Sequence, residues 1–314
     1  MSDFQQFEPN TLLAPYTTLK AGGRADFASI CSSASEIVEV WKQCMDRQLP
    51  WSIIGSGSNI LVSDKGVRGA VIINRSCKIR KVASDTLAVE SGAWLQDVFL
   101  KSVQLGFQGL EFAVGIPGTI GGALVSNAGA YRSSIGDFVN RVEVLVDGER
   151  KWAAREWLHL SYRNSRLRQN GYIQNSAIVL QVELNLEKGS RRQSYQLAKD
   201  YQLQRILKQP HGPSAGSYFK NVEDRDFACS LDFLPDRFKE AGIVPAGFLI
   251  EAVHLKGFRM NRVGFGQSHA NIIVNYGSQS AESIMRLAQL AQDQVREKFS
   301  VLLEPEVVSF GDWN

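Results

Sequence analysis

Main-chain amides crowded into a run with almost no side chains are the first chemistry this sequence offers. Gly109-Leu110-Glu111-Phe112-Ala113-Val114-Gly115-Ile116-Pro117-Gly118-Thr119-Ile120-Gly121-Gly122-Ala123-Leu124-Val125-Ser126-Asn127-Ala128-Gly129-Ala130-Tyr131 is dominated by glycine and alanine and carries almost no charge. Glycine costs conformational entropy on folding, so this density implies another body pressed against the backbone. A pyrophosphate held by N–H groups is the natural candidate. A second turn, Gly55-Ser56-Gly57-Ser58-Asn59, lies between the apolar runs Trp51-Ser52-Ile53-Ile54 and Ile60-Leu61-Val62. It lacks the third glycine and the following helix of a dinucleotide fingerprint, and no Gly-Lys-Ser/Thr closes it as in a P-loop. It reads either as a second anion cradle or as a plain hairpin turn.

Three further segments carry charged or hydroxyl groups. They are Ser161-Tyr162-Arg163-Asn164-Ser165, then Lys208-Gln209-Pro210-His211-Gly212-Pro213-Ser214-Ala215-Gly216-Ser217-Tyr218-Phe219-Lys220-Asn221, and finally Leu303-Glu304-Pro305-Glu306-Val307. Singly, each has an ordinary explanation. Arg163 reads as a surface ion pair, Ser217 as a turn hydroxyl, and Glu306 as an exposed strand residue, since most such groups are merely solvated. Metal chemistry is not expected. His159, His211, His254 and His269 form no HxxxH pair, and Cys31, Cys44, Cys77 and Cys229 have no CxxC spacing. The cysteines read as reduced structural residues of a cytoplasmic protein.

The elements that must position these groups can be read from pattern. Ser33-Ala34-Ser35-Glu36 is a capping box opening a helix through Arg47, with Ile37, Trp41, Cys44 and Met45 on its apolar stripe. Short strands are predicted at 51–54, 60–62, 70–73 and 86–90, and a helix over 94–105 with Gly106 as its stop. Arg141 to Val146 is a strand ending in the turn Asp147-Gly148, and Leu180, Val182, Leu184 and Leu186 alternate with polar residues as in a half-buried strand. A polar helix within 187–208 ends at Gln209-Pro210. A helix over 281–300 has Ser280 as its cap, Glu282 in its first turn, and Ile284, Leu287, Ala288, Ala291, Val295 and Phe299 on one face. That stripe reads as core packing. Pro305 starts a last strand, Glu306 to Phe310. Many short strands interspersed with helices indicate the α+β class.

Composition sets the outer bounds. With 314 residues, 44% hydrophobic and 21% charged, the chain has ample core for about two domains or three small ones. Its 35 basic and 32 acidic residues are too evenly balanced to argue for nucleic acid. No apolar run approaches the roughly 20 residues of a membrane span. The opening Met1-Ser2-Asp3-Phe4-Gln5-Gln6 has no basic stretch followed by an apolar one, so no signal peptide is expected.

Taken together, these segments resemble the UDP-N-acetylenolpyruvoylglucosamine reductase family from about Pro15 to Phe310. The anchors occur in the family's order: Tyr16-Thr17-Thr18 with Gly22-Gly23, Gly55 to Asn59, Gly92-Ala93-Trp94, and Gly115 to Thr119 on through Asn127 to Tyr131. Tyr162 to Ser165, Ala215 to Asn221, His269-Ala270-Asn271 and Glu304 to Val307 complete them. The early loops are shared with other FAD enzymes of the p-cresol methylhydroxylase type. The Ser217 and Glu306 segments are specific to the reductase, and Pro-Ser-Ala-Gly-Ser is similar to its shorter subclass. Two positions depart from the pattern: Arg132 stands where a glycine is usual, and Val222 replaces a proline.

The resemblance implies an FAD-binding region of p-cresol-methylhydroxylase-like type in two parts, residues 1–75 and 76–207. A smaller α/β substrate-binding domain over 208–300 and a C-terminal strand over 301–314 would follow, the strand returning to the site. It implies NADPH-driven reduction, through non-covalent FAD, of the enolpyruvyl ether of UDP-N-acetylglucosamine to a lactyl ether in peptidoglycan synthesis. FAD would be held by Tyr16, Thr17, Ser56, Gly57, Ser58, Asn59, Ile60 and Leu61, and by Gly115, Ile116, Pro117, Gly118, Thr119, Gly122, Ala123, Ser126, Asn127, Ala128 and Gly129. Arg163 would stabilise the enolate-like charge, because its guanidinium fork matches a carboxylate and stays charged. Ser217 would be the proton donor, and Glu306 would polarise the enol ether. Tyr162, Lys208, Lys220 and Asn221 would contact the UDP sugar or NADPH. A cytoplasmic monomer is expected, with no nucleic acid or membrane partner. Two alternatives explain less. An FAD oxidase or dehydrogenase leaves the Ser217 and Glu306 segments unexplained, and a non-catalytic binding protein does not require Arg163, Ser217 and Glu306 together.

Overall fold

The computed structural model describes residues 6–168, 177–278 and 280–313, so the first five residues, read above for a signal peptide, lie outside it. The chain begins with strands β1 (Glu8–Leu12) and β2 (Arg24–Cys31), helix α1 (Ala34–Asp46), and strands β3 (Trp51–Ile54), β4 (Ile60–Val62) and β5 (Val67–Asn74). Four of these strands form a sheet in the order β1-β2-β5-β3, with β2, β5 and β3 parallel and β1 antiparallel at the edge. Half of the expected capping box forms at α1, because the Glu36 carboxylate reaches past the N-cap residue Ser33 to Ser32. The Ser33 hydroxyl accepts from the Glu36 N–H at 3.2 Å, and the Glu36 carboxylate accepts from the Ser32 N–H at 2.8 Å. The buried stripe of α1 is Ile37, Val40 and Cys44; Met45, placed on that stripe by its spacing, is half exposed. The two runs around Gly55–Asn59 do not make a hairpin. β3 pairs with β5, while β4 pairs in parallel with a strand from the far end of the chain.

The second unit contains β6 (Ile79–Lys81), β7 (Thr86–Glu90), α2 (Leu95–Gln104), β8 (Phe107–Gln108), α3 (Ile120–Val125), β9 (Gly129–Ala130), β10 (Ser133–Ser134), β11 (Val139–Val146), β12 (Glu149–Ala154), β13 (Ala177–Asn185), β14 (Glu187–Lys188) and α4 (Arg191–Lys208). Its five-stranded antiparallel sheet runs β12-β11-β13-β7-β6. Val146 pairs with Glu149 across Asp147-Gly148, both at positive φ (51° and 84°), a two-residue turn whose twist suits antiparallel strands. β13 is the central strand and is buried on both faces rather than one. Val179, Val182 and Leu184 join the core under α2 and α3, while Ile178 and Leu180 pack with Ile37, Val40 and Cys44 of α1. Its one buried carboxylate, Glu183, accepts two hydrogen bonds from Arg141, at 2.7 and 2.9 Å.

The third unit comprises β15 (Ser214–Ser217), β16 (Val222–Glu223), α5 (Arg225–Ser230), α6 (Asp236–Ala241), β17 (Ile243–Val244), α7 (Ala246–Ala252), β18 (Arg259–Met260), β19 (Val263–Phe265), β20 (Ile272–Asn275) and α8 (Ala281–Phe299). A four-stranded sheet, β15-β20-β19-β18, carries a core filled by Ile284, Leu287, Ala288, Ala291 and Val295 of α8. Burying a Leu, Ile or Val side chain contributes about 1.5–3 kcal/mol, so this stripe anchors the helix. The Ser280 hydroxyl accepts from the Ser283 N–H as its cap. Asp64, just beyond β4, accepts hydrogen bonds from Ser280 Oγ, Ala281 N and Glu282 N at 2.8, 2.7 and 3.1 Å. The last strand, β21 (Val308–Phe310), starts two residues later than its sequence indicates, because Glu306 is held outside any strand; it pairs with β4. Leu19, Ala21 and Leu61 from the N-terminal sheet region contribute to this third core. No helix among the described residues is long and apolar enough to cross a membrane. Cys31 and Cys44 are buried, but Cys77 and Cys229 are exposed, so only the first two have the packing role read for all four.

Candidate active site

The two glycine-rich runs face each other. Gly57 stands at φ 62°, and a Cβ there would lie 2.3 Å from the Tyr16 carbonyl oxygen. The Thr18 N–H donates to the Gly57 carbonyl at 3.2 Å, so the Tyr16–Thr18 segment backs the loop directly. A Cβ on Gly55 would strike Thr119 Oγ1 at 2.3 Å, and one on Gly118 would lie 3.2 Å from Ser58 Oγ. The loops therefore touch only because glycine is present in each. Thr119 caps α3, its hydroxyl accepting from the Gly122 N–H at 3.3 Å.

Between the loops, α4 and the third unit lies a cavity of about 480 Å³. Ser56, Gly57, Ser58, Asn59 and Ile60 face it from the first loop. From the second come Ile116, Pro117, Gly118 and Thr119, then Gly122, Ala123 and Ser126, then Ala128 and Gly129. Tyr16, Thr17, Leu61, Gly115 and Asn127 stand behind this wall. Thr17 and Leu61 are fully buried, a Cβ on Gly115 would press on Arg205 Cδ at 3.0 Å, and the Asn127 side chain bridges Gly136 N and Ser161 O.

Arg163, Ser217, Glu306 and Lys208 all line the same cavity. Arg163 sits in a tight turn closed by hydrogen bonds between Ser161 and Asn164, and its own φ is 49°. Its Nη2 donates to the Gly129 carbonyl at 2.8 Å, and its Nε lies 2.9 Å from Glu306 Oε1. That Nε–H is buried and meets the carboxylate out of line for a hydrogen bond, so the pair is a charge contact. Burial pushes the Glu306 carboxyl above the usual carboxylate range, against the pull of Arg163, Arg168 and Lys220. Ser217 ends β15 after a register shift against β20, with Gly216 at φ 75°. The Glu306 N–H donates to the carbonyl of the next residue, Tyr218, at 2.8 Å. Tyr162, Lys220 and Asn221 lie outside the cavity. Arg163 stacks over the Tyr162 ring, Lys220 pairs with Glu304, and the Asn221 side chain accepts from Ala246 N.

Arg205 and His269 also line the cavity, though the sequence reading gave neither a role. Arg205, one turn before Lys208 on α4, faces the cavity with a buried Nε that makes no hydrogen bond. It packs over the Tyr131 ring, which stacks on Tyr201 at 3.7 Å and donates through its hydroxyl to the Tyr201 carbonyl. The i, i+3 spacing of Arg205 and Lys208 was the available signal, masked by the polar character of the whole helix. Burial, with the nearby charges of Lys208 and Lys256, pushes the His269 imidazole below its ordinary pKa. At the departure noted above, Tyr131 and Arg132 form the β9–β10 turn at φ 53° and 65°, so Arg132 adopts the left-handed conformation that glycine takes without strain. Val222 opens β16, paired with Val244.

Comparison with known proteins settles the lineage. Residues 25–153 match the FAD binding domain, and residues 208–310 match the C-terminal domain of UDP-N-acetylenolpyruvoylglucosamine reductase. A UDP-N-acetylenolpyruvoylglucosamine reductase from Caldicellulosiruptor bescii is 36% identical over 305 residues, spanning 96% of this chain and 90% of its own. This chain belongs to the UDP-N-acetylenolpyruvoylglucosamine reductase family. The Thermotoga maritima UDP-N-acetylenolpyruvoylglucosamine reductase is 34% identical over 305 residues, spanning 96% of this chain and 97% of its own. The crystal structure of the Thermus caldophilus enzyme superposes with a TM-score of 0.76 at 29% identity, over 97% of this chain and 98% of that one. As an FAD-dependent reductase of this family, the chain needs room and donors for a dinucleotide. The paired glycine loops, packed closely at Gly55 and Gly57, and the unpartnered Arg205 N–H on the same wall fit that requirement. Among the described residues, no group of three or more His, Cys, Asp or Glu is placed to hold a metal.

Proposed function

We propose that this reductase converts the enolpyruvyl ether of UDP-N-acetylglucosamine to the lactyl ether UDP-N-acetylmuramate, with NADPH as the source of electrons. The convergence of Arg163, Ser217 and Glu306 on the cavity walled by the two glycine loops carries the reading. Ser56 to Ile60 and Ile116 to Gly129 would hold FAD, with Tyr16 and Thr17 bracing the first loop from behind. Bound FAD supplies the two-electron chemistry.

The chain's own residues supply the rest. Reduction of the enol ether adds charge to the carbon beside a carboxylate. Arg163 presents its guanidinium fork on the cavity wall, where a charge-assisted hydrogen bond to the substrate carboxylate would be worth most. Ser217 donates the proton to that carbon as the charge develops. Its hydroxyl is a weak acid, so the fixed position at the β15 bulge matters more than its pKa. Glu306, favoured in its neutral form by burial, donates toward the ether and polarises it. Lys208, on the cavity wall, and Lys220, outside it and paired with Glu304, would meet the diphosphate. A division at 1–75, 76–207, 208–300 and 301–314 draws its support from the core confined to residues 87–198; the core of the third unit also takes in Leu19, Ala21, Leu61, Leu303 and Val307. Work in the cytoplasm as a monomer, within peptidoglycan precursor synthesis, completes the reading.

Anaerobic stopped-flow absorbance tests it. NADPH should bleach the oxidised-flavin band, and the UDP-enolpyruvyl sugar should restore it. Bleaching without recovery means a flavin enzyme with another acceptor, and overturns the substrate assignment.

A further inference from the structure

Five residues beyond Arg163 stands Arg168, whose guanidinium meets no carboxylate at ion-pair distance among the described residues. It spends its donors on backbone instead. Nη1 donates to the Arg163 carbonyl at 3.3 Å, while Nη2 donates to the carbonyls of Pro305 and Glu306 at 3.0 and 2.8 Å. The partners belong to two segments far apart in sequence, one carrying Arg163 and the other Glu306. The Glu306 peptide is also held from two further sides. Asn59 Nδ2 donates to its carbonyl at 3.1 Å, and its N–H donates to the Tyr218 carbonyl. One half-buried cation thus sits at the junction of the first glycine loop, the Arg163 turn and the segment that follows Ser217. A rigid five-donor fork can hold several carbonyls in fixed directions; an ammonium on a flexible stem cannot.

We propose that Arg168 is a positioning residue for the reduction step, locking the Arg163 backbone to the Glu306 backbone so that their side chains meet at the cavity wall. The proposal rests on the functional reading above. It makes Arg168 act through two other residues and assigns it no contact with substrate. Misplacement of reacting groups by about 1 Å costs on the order of 10²-fold in rate, which sets the size of the effect. Arg168 also contributes one of the positive charges that face Glu306, the others being Arg163 and Lys220, with the Tyr162 phenol nearby.

The test compares Arg168→Lys and Arg168→Met, each purified with FAD, in the two half-reactions. Arg168→Lys keeps the charge and loses the fork. It should be bleached by NADPH within about twofold of the parent rate, and should recover on adding the UDP-enolpyruvyl sugar about 10²-fold more slowly, with KM little changed. Arg168→Met should show the same split and should also move the pH limb of the recovery rate upward, because one of the cations opposing the upward push of burial on Glu306 is gone. Arg168→Lys should leave that limb in place. Recovery by Arg168→Lys at the parent rate overturns the proposal. So does an equal fall in both half-reactions that tracks lost thermal stability, which marks a role in packing only. If Arg168→Met does not fold, the Arg168→Lys split decides alone. Absence of substrate-dependent recovery in the parent enzyme is a different result, and counts against the function rather than against Arg168.

Discussion

Glu306 stands between burial, which favours its neutral form, and three cations, which favour its charge. Its folded pKa lies above the ordinary carboxylate value, so the folded state holds this proton more tightly than the unfolded one. Its contribution to stability is therefore present at low pH and is lost as pH rises through the folded pKa. Glu306→Gln should unfold at higher denaturant concentration than the parent at pH 8, with the difference shrinking toward pH 4, while substrate reduction falls steeply. Urea titrations at both pH values, beside a turnover assay, read the two effects. Ser217→Ala should leave FAD bound and reducible by NADPH, and slow recovery of the flavin band by 10²- to 10⁴-fold, as removal of a general acid does; stopped-flow absorbance reads it. These residues were legible because each lies in a short segment of distinctive order. Arg205 was not, because a charged residue on a polar helix looks the same in sequence whether it faces water or a cavity.

At the scale of elements, Asp64 completes the start of α8 from more than two hundred residues away. Capping of this kind contributes about 0.5–2 kcal/mol, so Asp64→Ala should lower unfolding free energy by about that amount, read by urea denaturation. β2 and α1 carry a second test. Burial pushes the Cys31 and Cys44 thiols up from 9.0 to about 11. Unfolded thiols ionise first as pH rises, the folded chain then binds more protons, and stability falls between pH 9 and about 11. The two sites together should contribute a few kcal/mol to that fall, and Cys44→Ala should remove about half of it in denaturation curves at pH 8.5 and 10.5. The caps at Ser33 and Ser280 and the hairpin at Asp147-Gly148 were readable because their chemistry is local. The depth of β13 was not. Its alternation suggests one wet face, yet α1 from the preceding unit covers that face with Ile37, Val40 and Cys44.

For the whole molecule, the cavity draws its wall from all three units, so FAD should act as a cross-brace. FAD at about a thousand times its dissociation constant should add about 4 kcal/mol to unfolding free energy, visible as a concentration-dependent rise in Tm. The order of functional segments was legible along the chain, but their assembly was not. Ile60-Leu61-Val62 and Val308-Ser309-Phe310 are ordinary apolar triplets, and nothing local to either announces that they pair. That pairing has a consequence for how the protein is made. Both glycine loops, Arg163 and Ser217 leave the ribosome before Glu306 and β21. Until β21 arrives, β4 offers an unpaired edge and the cavity lacks its carboxylate. On the proposed reading, a nascent chain halted short of residue 301 would carry both glycine loops without Glu306, and competence would come only with the completion of synthesis itself.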